Sequence, residues 1–194
     1  EKFLDIKCRI GNIMPDAVAI VATVRALKHH GGCPKEELGK PNLNYLEKGC
    51  SNLIRHIENV TEVYGLPACV AINSFPTDSP EEHEYIQKLC KRIGVESAVT
   101  DVYGKGGAGA EELARKLVAL ADKASNPMFV YDSDKSLQEK IVAVCTKVYR
   151  ATSVTFELPA AKRLAEIEAM GYGKLSVCIA KTQYSFSDTP SLLG

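Results

Sequence analysis

The run Ala68-Cys69-Val70-Ala71-Ile72 constrains this chain more than any other stretch. It is short, apolar and without polar alternation, and Pro67 and Pro76 bound its surroundings. Such a run reads as a strand buried on both faces, which is the environment of a parallel sheet. It breaks at once into Asn73-Ser74-Phe75-Pro76-Thr77-Asp78. Open α/β sheets bind ligands at the carboxyl ends of their strands. A turn and a helix cap account for Asp78 to Glu82, with Asp78 or Ser79 starting the helix and Pro80 in its first turn. They leave Phe75, a large aromatic among hydrogen-bonding side chains, without a structural reason.

The same grammar recurs along the chain. Ala17 to Val24 reads as a second buried strand, followed by a polar stretch from Arg25 to Gly32 and a loop from Cys33 to Pro41. Leu43 to Tyr64 has helical apolar spacing and is stopped by Gly65 and Pro67. Ser79 to Ile93 reads as a helix, Ser97 to Val102 as a strand and Ala110 to Lys123 as a helix. Strands alternating with amphipathic helices predict an α/β fold with a mostly parallel sheet, right-handed crossovers and helices on both faces. After Asn126-Pro127 the character shifts. Helices over Ser136–Tyr149 and Pro159–Met170 and short strands over Val154–Glu157 and Ser176–Ala180 predict a smaller C-terminal α/β part. The expected division is residues 1–126 and 127–194. The segment from Glu1 to Arg9 reads as the tail of an element, and both ends suggest a fragment of something longer.

Three presumed strands therefore end in polar loops: Arg25 to Gly32, Asn73 to Asp78 and Tyr103 to Gly109. Parallel neighbours would bring all three to one edge. In the third loop, Lys105, Gly106 and Gly107 could turn backbone N–H groups and a cation toward an anion, with the next helix adding its positive end. A flexible strand-to-helix turn explains the same glycines, because the spacing matches neither G-x-x-x-x-G-K-[ST] nor G-x-G-x-x-G. Arg25 and Lys28 could hold a phosphate or carboxylate, or simply face solvent. His29 and His30 read better as solvated than as metal ligands.

Charge balance excludes a global field for nucleic acid or anionic membrane: 24 basic side chains face 24 acidic ones. Seven cysteines without a C-x-x-C pair, mostly in apolar segments, predict reduced thiols and no zinc site. No apolar run reaches the length of a membrane span.

Several longer stretches carry a resemblance. They are Asp5-Ile6-Lys7-Cys8-Arg9, Val21-Ala22-Thr23-Val24-Arg25-Ala26-Leu27-Lys28 with Gly31-Gly32, and Leu46-Glu47-Lys48-Gly49 with Asn52-Leu53. His56-Ile57-Glu58-Asn59, Val70-Ala71-Ile72-Asn73 with Phe75-Pro76-Thr77-Asp78, Lys105-Gly106-Gly107 and Val177 to Ser185 follow. In this order they resemble formate–tetrahydrofolate ligases, also called 10-formyltetrahydrofolate synthetases, and they span nearly the whole chain.

The resemblance implies a middle-to-late fragment of an enzyme of one-carbon metabolism with a fold like that of P-loop nucleotide hydrolases. It implies ATP with Mg²⁺, formate and tetrahydrofolate as ligands, and formyl phosphate as the intermediate on the way to 10-formyltetrahydrofolate. It implies a cytoplasmic homo-oligomer, a tetramer, with no nucleic-acid or membrane partner. Phe75 and Tyr103 would cover the two faces of the pterin; Asn73, Lys105, Gly106, Gly107 and Arg25 would form a nucleotide or phosphate edge. No catalytic residue is assigned. The family usually has tryptophan where Tyr103 stands, alanine at Gly104 and glutamate at Ala108. No G-x-x-x-x-G-K-[ST] occurs in the sequence, so this chain alone is expected to be inactive. The alternative is a P-loop-less pseudoenzyme, or a folate- or anion-binding module without catalysis.

Overall fold

The structure is a computed structural model that describes every residue except Lys181, Gln183 and Ser185. The chain forms two compact units. One comprises residues 15–126 with 182–194, and the other residues 1–14 with 127–181. The first 14 residues thus group with the later part of the chain rather than with the sheet that follows them.

The first unit is built on three parallel strands, β1 (Val18–Ala22), β2 (Ala68–Asn73) and β3 (Glu96–Thr100), in that spatial order. Val18 pairs with Ala68, and Asn73 pairs with Thr100. β2 is central, and Ala68 to Ile72 are all buried. That matches the unbroken apolar run. β1 is likewise apolar but lies at an edge of the sheet, and Val21 is 69% exposed.

Helices connect the strands: α1 (Val24–His30), α2 (Leu43–Glu58), α3 (Pro80–Arg92) and, after β3, α4 (Glu111–Ala121). Leu46, Cys50, Leu53 and Ile57 repeat at helical spacing down one side of α2. They join Val24 and Leu27 of α1, Val70 and Ile72 of β2, and Ile86, Leu89 and Cys90 of α3 in one core. Successive strand residues alternate sides, so Cys69 and Ala71 point to the opposite face of the sheet. α4 is docked against β3 by Lys116, whose ammonium donates to the Ser97 carbonyl at 2.6 Å and lies 3.3 Å from the Glu96 carboxylate. The α/β class and the parallel sheet follow the sequence expectation.

Local signals set the helix starts. Thr23 caps α1, its hydroxyl accepting the Ala26 N–H at 3.1 Å. The stretch Arg25 to Gly32, expected as a polar loop, is mostly this helix, because the cap and the buried side of Val24 and Leu27 favour it. Ser79 caps α3 in a reciprocal box with Glu82, and Pro80 fills the first helical position.

The second unit contains α5 (Leu137–Lys147) and α6 (Leu158–Ile167) and, among the described residues, no assigned strand. The strands expected at Val154–Glu157 and Ser176–Ala180 do not form. At Val177 the reason is visible: the Tyr131 phenol donates to its carbonyl (2.8 Å) and accepts from its N–H (2.9 Å). The Ile179 N–H goes to the Glu1 carboxylate. Side chains take the backbone groups that a neighbouring strand would otherwise pair. Around them, the Arg9 guanidinium stacks 3.9 Å from the Phe129 ring centroid, and Asp5 accepts the Val130 N–H at 2.8 Å.

All seven cysteines are free. Burial pushes the Cys50 thiol up to about 12 and the Cys90 thiol up to about 11. Cys178 is exposed. A thiol reagent should therefore modify Cys178 first in the native chain and reach the five buried thiols only on unfolding. Titration in denaturant without reductant should find seven; a smaller number would overturn the reading of reduced thiols.

Candidate functional site

Asn73 ends β2, and the chain then turns. The Phe75 carbonyl accepts the Asp78 N–H at 2.9 Å, closing a β-turn with Pro76 at its second position. The Asp78 carboxylate in return accepts the Phe75 N–H at 2.9 Å and lies 3.2 Å from His83 Nε2 of α3. The backbone of Phe75 is thus held from both sides while its ring stays 42% exposed. One residue earlier, the Ser74 N–H donates to the Thr100 carbonyl, carrying the β2–β3 pairing past the formal strand end.

Beyond β3, Asp101 organises the glycine-rich loop. Its carboxylate accepts the Gly104 N–H at 3.0 Å, and its own N–H donates to the Gly109 carbonyl at 2.9 Å. A Cβ on Gly109 would stand 2.0 Å from the Asp101 carbonyl oxygen, so this closure requires glycine. Val102–Lys105, expected as a strand end and a turn, is a single helical turn capped by Asp101, and it holds Tyr103 fully in solvent.

Because β2 and β3 are parallel neighbours, the two loops share one edge. Asn73, Ser74, Phe75, Pro76, Asp101, Tyr103 and Gly104 line one cavity of about 660 Å³. Asn73, Phe75 and Tyr103, singled out from sequence, meet there. Lys105, at the end of the helical turn, and Gly106 and Gly107, at the start of the 3-10 turn that follows, are exposed but are not among the residues lining that cavity. Lys105 Nζ lies 3.9 Å from the Asp101 carboxylate. A 3-10 turn, Gly106–Ala110, separates the loop from α4, whose first turn carries Glu111 and Glu112. Those carboxylates offset the positive helix end that the sequence suggested for an anion.

Arg25 lines a neighbouring cavity of about 350 Å³ with Thr23, Ala26, His29, Lys35, Leu38 and Phe75. Lys28, three residues on, does not face a ligand. It is wholly buried, 2.9 Å from the equally buried Glu82, and donates to the Lys40 carbonyl at 3.0 Å. Burial pushes the Glu82 carboxyl up, but the N–H groups of Ser79 and Asn42 and the Lys28 ammonium outweigh it. The net direction is below the usual carboxylate range. Sequence reasoning missed Asp101, which tethers the glycine loop, and Lys35 and Leu38, which sat in a stretch read only as loop. An aspartate just before a glycine-rich loop was the available signal for the first.

Parallel strands with a cleft at their carboxyl ends, lined by loop residues that include two exposed aromatics, define a protein of the α/β class, in which that edge is the usual place for a ligand. The family described as formate–tetrahydrofolate ligase matches residues 1–194. The chain belongs to that family. It is 47% identical over all 194 residues to a formate–tetrahydrofolate ligase of Symbiobacterium thermophilum, and it spans 35% of that relative's length.

Proposed function

We propose that this chain is the pterin-facing part of an ATP-dependent ligase that joins formate to tetrahydrofolate. The observation that carries the reading is the placement of Phe75 and Tyr103 on one cavity at the carboxyl edge of the sheet, in a chain of this family. A flat ring between two aromatic faces gains stacking energy beyond simple burial. In the proposed reaction, ATP with Mg²⁺ phosphorylates formate and releases ADP. A folate nitrogen then attacks the formyl carbon and inorganic phosphate leaves. Asn73 with Lys105, Gly106 and Gly107 would border the phosphates, and Arg25 stands in the adjoining cavity. A P-loop-type core completed outside these residues, a tetrameric assembly and a cytoplasmic setting belong to the same proposal. Among the described residues, no helix is long and apolar enough to cross a membrane.

Tetrahydrofolate dissociation constants of the full-length protein test it. Phe75→Ala should weaken binding about tenfold, the equivalent of ~1.4 kcal/mol. Tyr103→Trp should tighten it by offering a larger face. The Phe75 ring is substantially exposed, so its loss should leave the fold intact. Unchanged affinity in folded Phe75→Ala protein would refute the pterin assignment.

A further inference from the structure

Phe75 belongs to two cavities. One is the cleft it shares with Tyr103; the other is the cavity of about 350 Å³ beside α1 and the turn Lys35–Glu37. Both volumes fall within the range typical of small-molecule sites, ~300–1,000 Å³. The second cavity has a distinct character. Ala26, Leu38 and the Phe75 ring give it apolar walls, and Arg25, His29 and Lys35 line it as well. No acidic side chain is among its lining residues. Arg25 and Lys35 are exposed, and neither has a carboxylate partner among the described residues. The nearby cation that is neutralised, Lys28, is buried against Glu82 and does not line the cavity.

Apolar walls with unpaired cations suit a ligand segment that is aromatic and ends in carboxylates. A phosphate would be served better by converging backbone N–H groups, and the Thr23 hydroxyl is already engaged with the Ala26 N–H. We infer that this cavity takes the aminobenzoyl-glutamate tail of the pteroyl ligand, with the glutamate carboxylates against Arg25 and Lys35. The inference rests on the pterin reading of the Phe75–Tyr103 cleft. The shared ring makes it economical, since a ligand stacked on Phe75 in one cavity continues along the same side chain into the next. Guanidinium and ammonium groups both pair with carboxylates, and the Arg25 fork can do so with two parallel bonds.

The test compares tetrahydrofolate with tetrahydropteroate, which lacks the glutamate, in the full-length protein. Wild type should bind tetrahydrofolate about tenfold more tightly. Each exposed charge pair is worth at most about fivefold, so Arg25→Gln/Lys35→Gln should abolish most of this preference. The same double variant should leave the tetrahydropteroate dissociation constant unchanged. Three results would overturn the assignment: a preference that survives in the double variant, equal weakening of both pteroyl ligands, or a loss confined to ATP, which would mark a phosphate site. Tyr103→Ala separates the two levels. If it weakens both pteroyl ligands while the double variant erases no preference, only the tail site fails. If it affects neither ligand, the pterin cleft fails and the tail site with it.

Discussion

Replacing Lys28 by methionine is expected to cost about 3–5 kcal/mol of stability, the range seen when one partner of a buried ion pair is removed. A domain of this size typically has only ~5–15 kcal/mol to lose. Lys28 and Glu82 are both excluded from solvent, 2.9 Å apart. Glu82 also accepts the N–H groups of Asn42 and Ser79, each at 3.0 Å, so one carboxylate ties α1 to the starts of α2 and α3. Urea unfolding of the variant against wild type measures the loss, and a difference below about 1 kcal/mol would contradict it. The double variant Lys28→Met/Glu82→Gln should lose less than the sum of the single changes, because it strands no buried charge.

The same pair predicts a pH dependence. The Glu82 carboxyl titrates lower in the folded chain than its unfolded value of about 4.3. Its stabilisation is therefore fully present above that value and is lost as pH falls through the folded one. The gap between wild type and Lys28→Met should narrow as pH falls toward the wild-type folded value, since without the ammonium the buried Glu82 carboxyl takes up its proton at a higher pH than in wild type. A gap independent of pH would show that Lys28 contributes through packing rather than charge.

These residues also show where sequence stops informing. β2 was legible because burial on both faces leaves an unbroken apolar run, and α2 because its buried side repeats at helical spacing. The meeting of Phe75 and Tyr103 was legible because each follows one of two parallel strands, and adjacent parallel strands put their following loops on one edge. Ser176–Ala180 misled for a physical reason. Apolarity records burial, but a strand also needs a backbone partner, and at Val177 that partner is the Tyr131 phenol. Lys28 misled likewise: a lysine three residues after Arg25 looks like a second anion ligand until the fold brings Glu82 against it. In the glycine loop the spacing left donors open for an anion, and the structure gives the Gly104 N–H to Asp101.

Gly49→Ala is expected to destabilise the chain by about 3 kcal/mol or more, although alanine is the better helix former. In an exposed helix interior the change would stabilise by roughly 0.5–1 kcal/mol. Here a Cβ at Gly49 would stand 1.8 Å from the Leu27 carbonyl oxygen. The contact is reciprocal, since a Cβ at Gly31 would stand 1.9 Å from the Tyr45 carbonyl oxygen. Both obstacles are backbone, so no side chain can rotate away, and α1 and α2 must move apart to admit the methyl. That movement would open the core around Leu27, Leu46 and Cys50 and shift Arg25 and Lys28 with α1. Gly107→Ala is the control: a Cβ there meets nothing within 4 Å, and its stability should stay within about 0.5 kcal/mol of wild type. Thermal and urea unfolding of both variants decide the matter. A Gly49→Ala chain as stable as wild type, or more so, would mean that α1 and α2 are not packed backbone to backbone at this crossing.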